Sequence, residues 1–184
     1  AGEQTVDKDE APGKGKPDKI PQLRPAFARD GTITAATSSS ISDGAAAVVL
    51  SRESVAKENG QDPVAKIVAM AAHAQEPSEF TVAPVGAIEK VLKSAGWSAD
   101  EVDLWEVNEA FACVAMFAMR DIGIPHDKIN VNGGGTALGH PIGASGTRII
   151  VTLLNALKQQ GKKRGVASLC IGGGEATAVA VEMV

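Results

Sequence analysis

The 184-residue chain lacks the features that mark several large classes of protein. Its two cysteines, Cys113 and Cys170, lie far apart in apolar stretches, which does not fit the disulfide framework of a secreted domain. No run approaches the roughly 18 consecutive apolar residues that a membrane span needs. With 18 basic and 22 acidic residues the net charge is −4, and the sequence shows no extended cluster of basic residues that would bind nucleic acid. We therefore expect a cytoplasmic protein without membrane or nucleic-acid partners.

Cofactor motifs are missing as well. The sequence contains no P-loop pattern, and its glycine-rich stretches at 133–146 and 172–178 do not satisfy the dinucleotide fingerprint GxGxxG. No Cys, His or carboxylate lies at metal-ligand spacing from His140 or Cys170. We expect neither a metal nor a cofactor, and we interpret the other two histidines, His73 and His126, as surface or structural residues.

The first third of the chain shows little regular pattern. Residues 1–22 mix charges with proline and glycine, which predicts an exposed loop. A short helix is predicted over 21–27, and the apolar run Ala45–Leu50 indicates a buried strand. Because a single strand is not a stable sheet, we expect this strand to pair with a segment upstream of the sequence. The pattern places a domain boundary near residues 59–62.

From residue 62 onward, strands and helices alternate. Apolar residues at helical spacing, such as Ile88 and Val91, indicate amphipathic helices, and Gly96 and Gly161 mark helix ends. The strongly apolar helices indicate an α/β layer in which helices are covered on more than one side. The predicted strands are 63–74, 101–107, 165–173 and 176–184, and the predicted helices are 84–97, 108–123 and 145–161.

Three side chains in this pattern are candidates for catalysis. His140 lies between Gly139 and Pro141, where backbone approach is close and conformation is restricted; it either points at a reacting atom or is packed within its loop. Cys170 ends a strand before three glycines, which fits an acid/base or nucleophile beside an oxyanion hole, or a small buried hydrophobe. Asn108 lies between a strand and a helix, as a helix N-cap or as an amide that holds a water or ligand oxygen.

Three motifs resemble those of the thiolase family in order and spacing: NEAF at 108–111, GGGTALGHPIGASG at 133–146 and CIGGG at 170–174. The stretch 23–51 is similar to the segment by which thiolases pass from a loop domain that covers coenzyme A back to their core. The resemblance therefore covers almost the whole chain. One departure is Glu175, because thiolases usually carry an uncharged residue at that position.

The resemblance implies an α/β fold of five α-β-α-β-α layers, of which this chain is mainly the C-terminal βαβαβ half. It also implies assembly into dimers or tetramers. The implied domains are the end of the loop domain at 1–40, the closing strand and helix of the N-terminal core domain at 41–60, and the C-terminal thiolase domain at 61–184.

The resemblance also implies roles for single residues. His140 corresponds to the histidine that takes the proton of a nucleophilic cysteine and helps to bind a thioester oxygen. Cys170 corresponds to the acid/base that removes a proton from Cα of acetyl-CoA, and Asn108 to the residue that holds a water in the first oxyanion hole. The remaining implied residues are Gly172, whose N–H contributes to the second oxyanion hole, Ser39 near the pantetheine of coenzyme A, and Ala110 and Phe111 at the acyl pocket.

The implied activity is acyl-CoA C-acyl transfer, a reversible Claisen condensation and thiolysis with coenzyme A thioesters as substrates. Neither Cys113 nor Cys170 matches the nucleophile motif, so we expect the nucleophilic cysteine on a separate or cleaved N-terminal half, and we expect this chain alone to be inactive. Two alternatives are a catalytically silent CoA-binding or assembly module, and a nucleotide-binding domain that the missing fingerprints disfavour.

Overall fold

A computed structural model describes residues 2–3 and 5–184 of the chain. Its helices are α1 (Glu10–Lys14), α2 (Glu53–Glu58), α3 (Ala83–Ala95), α4 (Ala112–Ile122), α5 (Gly135–Leu138) and α6 (Ser145–Gln160). Its strands are β1 (Ala65–Ala74), β2 (Leu104–Val107), β3 (Arg164–Ile171) and β4 (Glu175–Met183). None of the helices in these residues is both long and apolar enough to cross a bilayer.

The four strands form one mixed sheet in the order β1-β4-β3-β2. Strands β2 and β3 are parallel, whereas β4 runs antiparallel to both of its neighbours. The parallel pair requires a crossover, which α4 to α6 provide. Since β2 and β3 run in the same direction, their carboxyl ends lie side by side, and both Asn108 and Cys170 are at this edge.

Helices cover both faces of the sheet. On one face α3 and α4 bury an apolar cluster that includes Ile88, Val91 and Trp105. On the other face α6 packs Ile149 and Leu153 against β2 and β3. Each of α3, α4 and α6 ends at a glycine with positive φ, as the glycines at the predicted helix ends indicate.

One prediction for the N-terminal region is wrong, and one stays a prediction. The run Ala45–Leu50 has no strand partner among the described residues, and Val49 is 98% exposed, so its pairing with a segment upstream of the sequence stays a prediction. The helix expected at 21–27 is instead a short 3-10 helix at Pro17–Gln22. The prolines explain this difference, because Pro25 has no N–H to donate and disfavours helical geometry at the residue before it.

The start of α4 also differs from the expectation. The predicted helix over 108–123 begins at Ala112, because Phe111 is extended with φ −135° and occupies the N-cap position. Asn108 is therefore not the N-cap of this helix. The extended stretch between β2 and α4 keeps Asn108 and its neighbours free for other contacts.

The contact between α3 and β1 depends on a glycine. A Cβ at Gly86 would lie 2.7 Å from three atoms of the His73 ring. Gly86→Ala should therefore lower the free energy of unfolding by about 1–3 kcal/mol, although alanine favours helices. Urea unfolding measures this change.

Gly146→Ala is the matched control, since no heavy atom from outside its own helix backbone lies within 4 Å of a Cβ there, and it should not destabilise the protein. In a His73→Ala background the cost of Gly86→Ala should disappear. If Gly86→Ala lowers the free energy of unfolding equally with and without the His73 ring, the close contact between the two residues is not the cause.

Candidate active site

The glycine-rich loop lies directly on the residues that follow β2. A Cβ at Gly135 would be 2.8 Å from the carbonyl oxygen of Glu109, and one at Gly134 would overlap the Glu109 side chain. The Glu109 carboxylate in turn accepts hydrogen bonds from the backbone N–H of Thr136, at 3.2 Å, and from its hydroxyl, at 2.5 Å. The glycines are therefore required by close approach of two backbone segments.

His140 is oriented by a serine one turn away. Its Nδ1 lies 2.6 Å from Oγ of Ser145, and that hydroxyl donates to the carbonyl of Pro141 at 3.1 Å. Nδ2 of Asn108 lies 3.4 Å from Nε2 of His140 and can only donate, so the lone pair is on Nε2 and the proton on Nδ1, which donates to the Ser145 hydroxyl.

Asn108 faces this lone pair. The side chain is 1% exposed, and its Nδ2 lies 3.4 Å from Nε2 of His140. Its Oδ1 accepts from Nη2 of Arg148 at 3.4 Å, which sets the orientation of the amide. The backbone N–H of Asn108 donates to the carbonyl of Ser168 at 2.9 Å and so ties the site to β3.

The electrostatic surroundings keep His140 neutral. Burial lowers the pKa of His140 below its ordinary value, and the positive charge of Arg148 lowers it further. The pKa of the Glu106 carboxyl group, buried in β2, shifts in the opposite direction. Burial raises it to about 7, even though Arg148 acts to lower it. At neutral pH the imidazole can thus accept a proton at Nε2.

Cys170 is buried near the end of β3, where it pairs with Ala176 of β4. Burial, with a smaller contribution from nearby Cys113, raises the pKa of the Cys170 thiol to about 11. The thiol is protonated at neutral pH, so in this structure no neighbouring dipole or charge stabilises the thiolate enough to offset burial. Within the described residues, no hydrogen bond joins its sulfur to His140 or Asn108.

The turn after Cys170 presents backbone N–H groups at the surface. Gly172 is exposed, and the turn closes through a 3.1 Å hydrogen bond from the N–H of Gly174 to the carbonyl of Ile171. Gly174 has φ +98° and packs against the backbone of Gln75, so a side chain there would be strained. The turn is thereby fixed next to Cys170.

The remaining sequence-predicted residues lie together beside α4. Ser39 donates from both its N–H, at 3.1 Å, and its hydroxyl, at 2.9 Å, to the carbonyl of Ala110. The Phe111 ring makes edge-to-face contacts with Phe27 and Phe80, at centroid distances of 5.8 and 6.1 Å. These contacts fasten the segment around Ser39 to the stretch that follows β2.

The same segment also reaches the glycine-rich loop, because the N–H of His140 donates to the carbonyl of Ser40 at 2.8 Å. The structure thus brings Asn108 and His140 into direct contact and places Cys170 on the adjacent strand, without a hydrogen bond to either among the described residues. Three residues of the site were not expected from sequence: Glu106, Ser145 and Arg148. A charged residue inside the apolar run DLWEV is the signal that could have singled out Glu106.

Comparison with known proteins agrees with the motifs. Residues 61–183 match the family model "Thiolase, C-terminal domain", and residues 1–54 match "Thiolase, N-terminal domain". The chain is 51% identical over 177 residues to a probable acetyl-CoA acetyltransferase of Dictyostelium discoideum, covering 96% of this chain and 43% of the relative. It is 48% identical over 183 residues to an acetyl-CoA acetyltransferase of Yarrowia lipolytica, covering 100% of this chain and 46% of the relative.

Solved structures show the same relation. The acetyl-CoA acetyltransferase of Bacillus anthracis matches with a TM-score of 0.91 and 42% identity, over 96% of this chain and 45% of that one. The Acat5 thiolase of Ascaris suum in complex with coenzyme A matches with a TM-score of 0.87 and 38% identity, over 97% of this chain and 47% of that one. The expected α/β fold is confirmed, and the chain spans somewhat less than half the length of these relatives.

The raised pKa of Cys170 predicts how its thiol reacts. Only the thiolate is alkylated, so the rate of Cys170 labelling by iodoacetamide should rise about tenfold per pH unit from pH 7 to 10. A cysteine with an ordinary pKa levels off near pH 9. Peptide mapping by mass spectrometry at each pH gives the two profiles, with an added cysteine peptide as the control. A plateau for Cys170 below pH 9 would contradict the predicted protonation state.

Proposed function

This chain belongs to the thiolase family, and on that premise we propose that it supplies the proton-handling part of an acyl-CoA C-acyltransferase site. The observation that carries the proposal is the contact between Nδ2 of Asn108 and Nε2 of His140, which makes Nε2 the unprotonated nitrogen of the imidazole. The reaction is the reversible transfer of an acyl group between coenzyme A and acetyl-CoA, with acetoacetyl-CoA or a 3-ketoacyl-CoA as the product of condensation.

In the first half of the reaction, Nε2 of His140 accepts the proton of a nucleophilic cysteine. The sulfur of that cysteine attacks the thioester carbonyl, and the bond to the coenzyme A sulfur breaks. In the second half, attack on the acyl-enzyme carbonyl breaks the bond between the acyl group and the cysteine sulfur, and the imidazolium of His140 returns its proton to that sulfur. Neither cysteine of this chain suits the nucleophile, because burial raises the pKa of both thiols. The nucleophile is therefore supplied by residues outside this sequence.

Cys170 acts as an acid before it acts as a base. Its protonated thiol donates a proton to the departing coenzyme A thiolate, which leaves Cys170 as a thiolate. This thiolate then removes a proton from Cα of the incoming acetyl-CoA, and the resulting carbanion attacks the acyl-enzyme carbonyl. A resting thiol with a raised pKa suits this order of events.

Hydrogen-bond donors stabilise the negative charge at each stage. A water held by Asn108, together with His140, meets one thioester oxygen, and the exposed N–H of Gly172 meets the other. Ser39, Ala110 and Phe111 lie where the segment around residue 39 crosses the start of α4, and we assign them to the pantetheine and acyl group. Coenzyme A is a substrate in this proposal, which is supported by the solved complexes of the Ascaris suum thiolase and the human mitochondrial 3-ketoacyl-CoA thiolase with coenzyme A.

The assembly and location of the protein stay predictions. We expect dimers or tetramers in which an N-terminal thiolase half completes each site. A cytoplasmic location is also only an expectation, because the relatives include both a cytosolic enzyme of Gibberella zeae and a human mitochondrial one.

A graft tests the proposed function directly. The segment of the Dictyostelium discoideum relative that aligns with this chain is replaced by this chain, and thiolysis of acetoacetyl-CoA is followed. The graft should be active, the 184-residue chain alone should be inactive, and His140→Ala or Cys170→Ala should abolish turnover in the graft. Full activity of the grafted variants would mean that the chain is an assembly module without catalytic residues.

Asn108 should contribute through the oxyanion that it stabilises. Asn108→Ala in the graft should lower kcat by about 10²–10³, the usual cost of removing one oxyanion-hole donor. Asn155→Ala is the matched control, because Asn155 is exposed on α6 and its side chain bonds, among the described residues, only to the carbonyl of Val151 one turn earlier. A loss of kcat below tenfold for Asn108→Ala would contradict its assigned role.

A further inference from the structure

A charged pair lies beneath the Asn108–His140 contact. Glu106 and Asn108 are two residues apart, so both side chains point to the same face of β2, toward α6. Glu106 is 1% exposed, and its Oε1 has no hydrogen-bond partner among the described residues. Burying a carboxylate costs free energy of folding. Its presence here indicates a role that an apolar side chain could not fill.

Arg148, in the first turn of α6, joins this carboxylate to the amide of Asn108. Its Nη1 lies 3.4 Å from Oε2 of Glu106, and its Nη2 lies 3.4 Å from Oδ1 of Asn108. A planar guanidinium that donates in two directions holds both acceptors at a fixed separation. Because Oδ1 is turned toward Arg148, Nδ2 of Asn108 is turned toward Nε2 of His140.

We propose that Arg148, held in place by Glu106, is a positioning residue that fixes the Asn108 amide toward His140 and keeps the imidazole neutral with its proton on Nδ1. This inference rests on the proposed function, since it explains how the pair that handles the proton and the oxyanion is held. Arg148 does not touch the reacting atoms; it acts through Asn108 and through its charge.

The charge of Arg148 acts directly on the titration of His140. The charged side chains nearest to this histidine on the surrounding elements are Arg148 on α6, Glu106 on β2, Glu109 after β2 and Asp43 in the segment that crosses the loop. Removing the positive charge of Arg148 stabilises the imidazolium, whereas Glu106, whose pKa burial raises to about 7, is mostly protonated at the lower pH where His140 titrates and carries little charge there.

The test is an NMR titration of the histidines in the 184-residue chain. Arg148→Gln should raise the pKa of His140, Glu106→Gln should change it much less, and the double variant should resemble Arg148→Gln. The chain has three histidines, so His73 and His126 serve as internal references. Arg120→Gln is the matched control, because Arg120 is exposed and pairs with Asp121 on α4, away from α6. No rise in the pKa of His140 in Arg148→Gln, or an equal rise in Arg120→Gln, would overturn the proposal.

Activity of the graft provides the second readout. Arg148→Gln should lower kcat roughly 10- to 100-fold, because the Asn108 amide loses its orientation. KM should change little, because the binding site for the substrate stays intact. Unchanged kcat in an active graft would also overturn the positioning role. If instead the graft with the original sequence is inactive while Arg148→Gln raises the pKa of His140, the proposed function fails and the positioning role stands.

Discussion

The close approach of two backbone segments is the constraint on which the candidate site depends. The loop at Gly134 and Gly135 lies so near to Glu109 that neither position has room for a side chain. This close contact places the loop over the carboxyl end of β2. His140, five residues after Gly135, therefore lies in contact with Asn108. The glycine-rich segment is therefore not a phosphate cradle. Its glycines allow a histidine to be placed against a buried amide.

The buried polar groups of the protein are concentrated at this point. In the part of the chain that the structure describes, the buried polar or charged residues are Glu106, Asn108, Ser145 and Ser168. Each one either touches the Asn108–His140 pair or touches a residue that does, so the interior is apolar except beneath the site. Such groups cost stability unless they are paired, and Arg148 and the backbone supply the partners.

Sequence reasoning predicted the C-terminal two thirds well. The helix that ends at Gly161 and the hairpin around 172–174 follow from periodicity and glycine position, which are local signals. It failed at 21–27, where prolines interrupt the expected helix, and it does not identify the strand that would cover the apolar run Ala45–Leu50. His140, Cys170 and Asn108 stood out through their motifs. Arg148 did not, because it lies 42 residues from Glu106 and only the fold brings the two charges together.

In the proposed site this chain handles protons, while a cysteine outside it carries the acyl group. Peptide mapping by mass spectrometry of the graft, after brief incubation with acetyl-CoA and acid quenching, locates the acyl group. We expect an acetyl thioester on a cysteine within the residues contributed by the Dictyostelium discoideum relative, and none on Cys113 or Cys170. An acetyl thioester on Cys170, with the relative's cysteines unmodified, would show that the acyl group is carried by this chain.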